Sequence, residues 1–322
     1  MHVRVLRTKP LLLRPRRVQR LPLLCGHIQP DTPNTRCGRL TPQEIMGQQK
    51  RGHMAGQALK PPFRYFGGKT ILAPEIAKLL PPHDHYVEPF AGSLAVLLAK
   101  EPSEAETVND LDGDLITFWR VLRDNPDELH RVCQHTPYAR QELEMAENLG
   151  GISDLEKARR VWVRLTQSRQ NSLRDKPGWR RSFTNHAWSP TDKKAHSLRM
   201  PAVADRISLL QIENRDAVEA IEEYGTAKSV CIYADPPYLG SVRGKNYGAE
   251  MMEDDLHIRF ANACRQATAS VIISGYDSPL YQELFGDWHR YEFKAPPNLA
   301  GTETQTEVLW SNVPLGDQTS LF

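Results

Sequence analysis

The chain has 322 residues, of which 40% are hydrophobic and 25% are charged, a composition typical of a globular protein with one large or two modest domains. Its net charge of +2 is unevenly distributed, because residues 1–56 carry eleven Lys or Arg against two Asp or Glu. The sequence has no run of about eighteen apolar residues, so a membrane span is excluded. Its five cysteines lack Cys-x-x-Cys spacing, and we therefore expect no metal, no disulfide framework and a cytoplasmic location.

Residues 1–56 are predicted to be disordered. They mix arginines, prolines and short leucine runs, with neither helical nor strand periodicity. Arginines separate the leucine runs, which excludes a secretory signal. Two interpretations stay open: a basic arm that contacts nucleic-acid phosphates, or an extension upstream of a start at Met46 or Met54. We favour the second.

Strands and helices alternate from residue 86 onward. A strand ending in Val87-Glu88 precedes a Gly-containing turn, an apolar helix at Leu94 to Ala99 and a strand near Thr107-Val108. Further elements are predicted as strands at 209–212, 229–233, 270–274, near 291 and at 308–310, and as helices at 217–224, 255–267 and 279–285. The alternation predicts an α/β fold with a mostly parallel sheet. Residues 125–205 have helical patterns only, which indicates an inserted second domain.

Two segments predict a site for a nucleoside cofactor. In Glu88 to Gly92 a strand turns through a small, Gly-bearing loop into a helix, and such a loop can approach a ligand closely, although a glycine can also serve the turn alone. Asp110 follows the next strand, where an acid can bind ribose hydroxyls. The alternative for Asp110 is a helix cap, a role that Asp112 or Asp114 would serve equally well.

The segment Asp235-Pro236-Pro237-Tyr238 follows a buried strand and is predicted to lie at the carboxyl end of the sheet. Its two prolines stiffen the loop. The Asp235 carboxylate and a neighbouring carbonyl could then orient an amino group, and Tyr238 offers a stacking face. The alternative is a tight Asp-Pro turn with a tyrosine facing solvent. The apolar strand in front of the segment favours the first interpretation.

These motifs together resemble the Dam-type and DpnM-type adenine-specific DNA methyltransferases. The resemblance covers about residues 60 to 312. It depends on four motifs in the family's order, Arg64 to Lys69, Glu88 to Gly92, Asn109-Asp110 and Asp235 to Tyr238, and on closing stretches at 271–276 and 306–310. The chain departs from the family at Tyr65, where Trp is frequent, and in the cofactor loop, where a single glycine replaces two.

The resemblance implies a Rossmann-like sheet that uses S-adenosylmethionine, with an inserted, mainly helical target-recognition domain. The catalytic domain would comprise residues 57–124 and 206–322, and the insert residues 125–205. The residues implied to contact the cofactor are Tyr65, Lys69, Glu88, Phe90, Gly92, Asp110, Asp216 and Asp235. Among them, Asp110 would hold the ribose. Asp216 would reach the cofactor's adenine, or would instead cap the following helix.

The implied chemistry is direct methyl transfer to the amino nitrogen of adenine. The catalytic residues would be Asp235, Pro236, Pro237 and Tyr238. The Asp235 carboxylate and the Pro236 carbonyl would accept hydrogen bonds from the amino group. Alignment and exclusion of water are the main requirements, so no catalytic cysteine or metal is expected. The adenine would be flipped out of the duplex and stacked on Tyr238.

The insert is predicted to bind double-stranded DNA. Residues 155–200 hold twelve Lys or Arg against three Asp or Glu, with tryptophans that we place in the core of the insert. Arg169, Asn171 and Arg174 are candidates for base or backbone contacts. The alternative is that these charged residues only form the solvent-exposed face of helices.

Other functions are compatible with parts of these motifs. The acceptor could be RNA, cytosine or a protein glutamine, or the chain could be a catalytically silent DNA-binding regulator. A dehydrogenase is set aside, because no G-x-G-x-x-G follows the first strand. We expect a monomer in a bacterial cell, and a partner restriction enzyme and a phage origin stay open.

Overall fold

The computed structural model describes residues 58–173, 178–181, 190–237, 254–294 and 306–316. All of them belong to the unit Gly47–Phe322. The predictions made for residues 1–56, for Arg174 and for Tyr238 therefore lie outside the described residues.

The strands and helices are numbered here in chain order among the described residues. The strands are β1 (His85–Glu88), β2 (Ala105–Asn109), β3 (Gln211–Glu213), β4 (Val230–Ala234), β5 (Ser270–Tyr276), β6 (His289–Lys294) and β7 (Thr306–Ser311). The first helices are α1 (Ala73–Leu79), α2 (Ala95–Ala99), α3 (Gly113–Asp124), α4 (Pro126–His135), α5 (Arg140–Met145) and α6 (Asp154–Gln167). The later helices are α7 (Pro190–Ser197), α8 (Met200–Ile207), α9 (Ala217–Tyr224), α10 (Asp254–Gln266) and α11 (Pro279–Phe285).

One sheet contains the seven described strands in the order β3-β2-β1-β4-β5-β7-β6. Strands β1 to β5 are parallel, with Val87 of β1 opposite Thr107 of β2 and Ile232 of β4. Strand β7 is antiparallel to both of its neighbours, β5 and β6. The chain leaves β1 toward β2 on one side and returns on the other side at β4, so a crevice is expected at the carboxyl ends of these two strands. The predicted Rossmann-like α/β sheet is confirmed.

The sheet is covered on both faces. Side chains alternate along each strand, so neighbouring residues enter opposite layers. Tyr86 and Tyr233 belong to the apolar cluster that includes helices α3 and α6, whereas Val87 and Ile232 belong to the cluster that includes α9, α10 and α11. This two-sided burial explains why β4 and most of β5 read as nearly continuous apolar runs.

Helices α4 to α8 pack on the first of these clusters. Pro126 begins α4 directly after α3 ends, and Ser153 caps α6 by accepting a hydrogen bond from the Glu156 amide. Trp162 of α6 is fully buried, and its Nε1 donates to the Pro62 carbonyl at 2.8 Å. Trp162 is thus a core residue, but it lies in the cluster that it shares with Tyr86 of β1 rather than in a core of the insert alone. The bounds of a separate recognition domain stay a prediction.

Most element boundaries agree with the sequence patterns. The predicted helices at 217–224 and 279–285 coincide with α9 and α11. One boundary was wrong, because β3 begins only at Gln211. Leu209 is exposed, and the Leu210 amide donates to the Ile207 carbonyl at 3.0 Å, which extends the turn after α8.

Candidate active site

A cavity of about 380 Å³ opens at the carboxyl ends of β1, β2 and β4. Residues from six short segments line it, at 65–69, 88 and 90–93, 95–96, 110–111, 171–173 and 216–218, together with Tyr233, Asp235, Pro237, Leu256 and Arg259. All eight residues predicted to contact the cofactor are among them. The cavity lies where the strand order reverses, which is the usual place for a ligand in an open α/β sheet.

The loop between β1 and α2 brings its backbone to the cavity. Gly92 has φ +45°, a conformation that disfavours residues with a side chain. A Cβ at this position would also lie only 3.3 Å from the ring of Tyr65. The indole Nε1 of Trp119 donates to the Gly92 carbonyl at 3.0 Å and fixes the loop from the α3 side. Conformation and close approach therefore both favour glycine at this position.

Two neighbouring acids after β2 have different roles. Asp112 is the N-cap of α3, since its carboxylate accepts hydrogen bonds from the amides of Asp114 and Leu115 at 3.0 and 3.1 Å. Asp110 lines the cavity and accepts from the amides of Gly92 and Asp112 at 3.0 and 2.9 Å. The helix cap is thus provided by Asp112. Asp110 places a carboxylate at the end of β2, where it can accept hydrogen bonds from two ribose hydroxyls.

Asn109 joins the ends of three strands beneath this cavity. Its side-chain amide donates to the carbonyls of Pro89 and Arg215, each at 3.0 Å. Its carbonyl oxygen accepts from the Arg215 amide at 2.9 Å. The side chain is buried, so these bonds satisfy a polar group that would otherwise destabilise the fold. From the sequence, Asn109 was identified only as part of a motif, and the structure adds this bridging role.

Asp216 both caps a helix and lines the cavity. It is the N-cap of α9, because its Oδ1 accepts from the Val218 amide at 2.7 Å. It also lines the cavity, and its Oδ2 is 3.3 Å from Nη1 of Arg259. Contact between Asp216 and the cofactor's adenine stays a prediction.

The carboxylate of Asp235 is held at the end of β4 by side chains from distant parts of the chain. Its Oδ1 accepts hydrogen bonds from Lys69 Nζ at 2.9 Å and from Ser274 Oγ at 2.8 Å. The hydroxyl of Tyr233 donates to Ser274 Oγ at 3.1 Å and continues the network. The Lys69 ammonium also donates to the Gly67 carbonyl at 3.0 Å. The orientation of the Asp235 carboxylate is therefore fixed before any substrate binds.

A second acid approaches the same lysine. Glu307 of β7 places Oε1 at 3.5 Å from Lys69 Nζ, and both side chains are 7% exposed. Burial by itself lowers the pKa of Lys69, but the charges of Asp235 and Glu307 outweigh it, so the pKa is raised above its ordinary value. The lysine stays a cation. Sequence reasoning missed Glu307 and Ser274, which lie in the closing stretches of the resemblance without any local signal of function.

Glu88 is a buried acid of another kind. Its Oε1 accepts hydrogen bonds from the Tyr86 hydroxyl and the Leu97 amide, both at 2.8 Å. Burial raises the pKa of Glu88 to about 8, although the two hydrogen bonds oppose the shift. At neutral pH the side chain that lines the cavity is therefore mostly the neutral acid.

Of the residues predicted to contact DNA, the structure describes Arg169 and Asn171. Asn171 lines the cavity beside Ser172 and Leu173. It has φ +52°, and its Oδ1 accepts from Arg180 Nη2 at 3.1 Å. The same Nη2 donates to the Arg169 carbonyl at 2.7 Å, so one arginine holds both residues after α6. Their contact with DNA stays a prediction.

Among the residues that the structure describes, no group of three or more His, Cys, Asp or Glu is arranged to hold a metal ion. Within the same residues, no helix has the length and apolar character needed to cross a membrane.

The strand order and the acids at the ends of β1, β2 and β4 define an α/β protein with an acid-lined cavity at the carboxyl ends of its parallel strands. Residues 65–296 match the family model of the D12 class N6 adenine-specific DNA methyltransferases, and the chain belongs to this family. It is therefore an enzyme that transfers a methyl group to the amino nitrogen of adenine in DNA. The predicted family and activity are confirmed.

Two curated relatives are similar over most of their length. The type II methyltransferase M1.LlaDCHI of Lactococcus lactis subsp. cremoris is 24% identical over 272 residues, covering 74% of this chain and 88% of the relative. The retron Ec67 DNA adenine methylase of Escherichia coli is 24% identical over 266 residues, covering 76% and 89%. The solved structure of yhhF from Escherichia coli covers 77% of this chain and 82% of its own, with 10% identity and a TM-score of 0.30. The fold assignment therefore depends on the strand order and the family match.

Proposed function

We propose that this chain binds S-adenosylmethionine in the cavity and methylates a flipped adenine at a specific short sequence in duplex DNA. The observation that carries the proposal is the position of Asp235. Its carboxylate lines the cavity at the end of β4, held by Lys69 and Ser274, and two prolines follow it directly. A rigid acceptor at this place suits an amino group that must be oriented before it reacts.

The residues present fit this methyl donor. Asp110 offers a carboxylate to vicinal hydroxyls, and the loop at Gly92 lets a ligand approach the backbone. Asp216 lines the same cavity and can accept from an exocyclic amine. When bound, S-adenosylmethionine supplies an electrophilic methyl group on a positively charged sulfur. The carboxylates of the lining complement that charge.

The role of Asp235 follows from the weakness of the adenine amino group as a nucleophile. The nitrogen lone pair is delocalised into the ring. If the Asp235 carboxylate and the Pro236 carbonyl each accept a hydrogen bond from one N–H of the amino group, they favour a more tetrahedral nitrogen. The lone pair of such a nitrogen is available for reaction. The nitrogen gains positive charge as it forms the new bond, and the same carboxylate stabilises that charge. The surplus proton then passes to water.

Target recognition is assigned to residues 125–205. Adenine pairs through its amino group, so the base must leave the duplex, at the expense of a few kcal/mol. The excess of Lys and Arg in residues 155–200 suits contacts with phosphates. Arg169, Asn171 and Arg174 are proposed to contact the DNA, and Tyr238 to stack on the flipped base. One chain suffices for one flipped base.

The test is methyl transfer from labelled S-adenosylmethionine to unmethylated duplex DNA, with the modified positions identified by sequencing. We expect methyladenine at one short motif with the wild type and none with Asp235→Ala. Asp277→Ala is the matched control, because Asp277 follows β5 and pairs with Arg290 at the surface. Its activity should equal that of the wild type. Methylation that persists in Asp235→Ala, or cofactor binding with transfer only to RNA or protein, would overturn the proposal.

A further inference from the structure

The buried acid Glu307 contacts the same lysine as the catalytic carboxylate of Asp235. Glu307 lies on β7, between Tyr276 of β5 and Phe293 of β6 in the strand register. Its Oε1 is 3.5 Å from Lys69 Nζ, and the same ammonium is 2.9 Å from Oδ1 of Asp235. Asp235 faces the cavity, whereas Glu307 is 6% exposed. One cation is therefore shared by two carboxylates.

One carboxylate would be enough to neutralise this lysine. A buried charge destabilises a protein unless an opposite charge offsets it, so a second buried acid calls for an explanation. Burial alone would lower the pKa of Lys69, but the nearby charges of both acids raise it. When both acids are ionised, these three side chains together carry a net negative charge while the lysine stays protonated.

We propose that Glu307 is a positioning residue for methyl transfer, which acts by offsetting the charge of Lys69. The ammonium can then hold the Asp235 carboxylate in place without cancelling its negative charge. This inference rests on the proposed function, because it assigns Asp235 the task of stabilising the positive charge that develops on the amino nitrogen. In a partly buried site such an interaction is much stronger than in water.

The alternative is that Glu307 only ties β7 to the loop that carries Lys69. The two roles predict opposite orders of activity for two variants of Glu307. Glu307→Gln keeps the shape of the side chain and removes its charge, whereas Glu307→Asp keeps the charge and shortens the side chain. If the charge matters, the aspartate variant is the more active one. If only the shape matters, the glutamine variant is the more active one.

The experiment measures the single-turnover rate of methyl transfer at saturating duplex DNA and S-adenosylmethionine, and the dissociation constant for the cofactor by calorimetry. For Glu307→Gln we expect the rate to fall about tenfold to a hundredfold while the dissociation constant changes less than about threefold. Glu307→Asp should stay closer to the wild type. Glu292→Gln is the matched control, since Glu292 lies exposed on the adjacent strand and pairs with Arg290. Its rate should be unchanged.

A double variant isolates the proposed route through the lysine. In a Lys69→Gln background, Glu307→Gln should change the rate by less than about threefold, because no ammonium is left to offset. The double variant also gives a test if the single glutamine variant does not fold. A wild-type rate in Glu307→Gln, a slower Glu307→Asp, or an equal effect with and without Lys69 would overturn the inference.

These outcomes are separable from failure of the proposed function. If Asp235→Ala retained the full rate, the role of Asp235 itself would be wrong. If Asp235→Ala is inactive and Glu307→Gln is fully active, the proposed function stands and only the role of Glu307 is wrong.

Discussion

The two ends of the cavity hold their carboxylates by different means. At the β2 end, Asp110 accepts hydrogen bonds from the backbone amides of Gly92 and Asp112. At the β4 end, Asp235 accepts from the side chains of Lys69 and Ser274. Backbone donors are fixed by the local path of the chain, whereas side-chain donors must be brought together by the whole fold. The first end is suited to binding, and the second can tune charge for chemistry.

A second contrast, between a neutral acid and an acid beside a cation, separates the two buried glutamates. Glu88 accepts from a phenol and a backbone amide, and its pKa is raised to about 8 by burial. Glu307 lies beside the Lys69 ammonium instead. A buried carboxyl group can thus be kept as a neutral acid or placed beside a cation, and this protein uses both solutions within one site.

The largest expected effect concerns Glu88 and the free energy of unfolding. The unfolded chain loses this proton near the ordinary pKa of 4.5, whereas the folded protein keeps it until about pH 8. Between these values the folded state binds more protons, so a rise in pH destabilises it. The wild type should lose roughly 1 kcal/mol per pH unit relative to Glu88→Gln, which has no proton to lose.

Denaturant unfolding of both proteins at several pH values between about 5 and 8 measures this difference. The exposed Glu101 provides the control, because Glu101→Gln should give a curve parallel to that of the wild type. A Glu88→Gln curve that is also parallel would show that Glu88 is ionised in the fold, and the contrast between the two glutamates would be lost.

An intermediate effect is expected for the two acids after β2. Asp110→Ala should raise the dissociation constant for S-adenosylmethionine by about tenfold to a hundredfold, since it removes a charged acceptor from the cavity. Asp112→Ala should lower the free energy of unfolding by about 1 kcal/mol through loss of the α3 cap, with little change in cofactor affinity. Calorimetry and thermal unfolding measure both quantities. Weaker cofactor binding by Asp112→Ala than by Asp110→Ala would reverse the assignment.

The smallest effect is expected at Asp216, where a helix cap and a cavity wall coincide. Asp216→Ala should lower the free energy of unfolding by about 1 kcal/mol, and Asp216→Ser should restore most of it, because serine is also a good cap. Both variants should raise the cofactor dissociation constant by about fivefold if the carboxylate contacts the ligand. If Asp216→Ser bound the cofactor with wild-type affinity, the only role of Asp216 would be to cap α9.

The sequence predicts those residues of the site that lie close together along the chain, and misses those that only the fold brings together. The glycine loop and Asp110 are close in sequence and follow adjacent strands, so patterns and resemblance place them together. The choice between Asp110 and Asp112 as the cap required geometry, since both are acids near the start of α3. Glu307 and Ser274 were missed, because nothing near them in the sequence signals a partner such as Lys69. Their contacts exist only once β4, β5 and β7 lie side by side.

The helical region illustrates the same limit for the fold. Its helices were predicted from the sequence pattern, and its tryptophans, including Trp162, were expected in the core as large apolar side chains. Periodicity gave no indication that Asn171 would reach the wall of the cavity. Asn171 itself has a positive φ in the loop after α6, and Arg180 donates a hydrogen bond to its side chain.

The central claim is that binding and chemistry belong to different ends of one cavity. The most direct test compares Asp235→Asn with Asp110→Ala in cofactor affinity and in single-turnover rate at saturating S-adenosylmethionine and duplex DNA. We predict that Asp235→Asn loses about a hundredfold to a thousandfold in rate with nearly unchanged affinity, and that Asp110→Ala loses affinity with nearly unchanged rate. Variants that both lose affinity and rate in parallel would contradict the account.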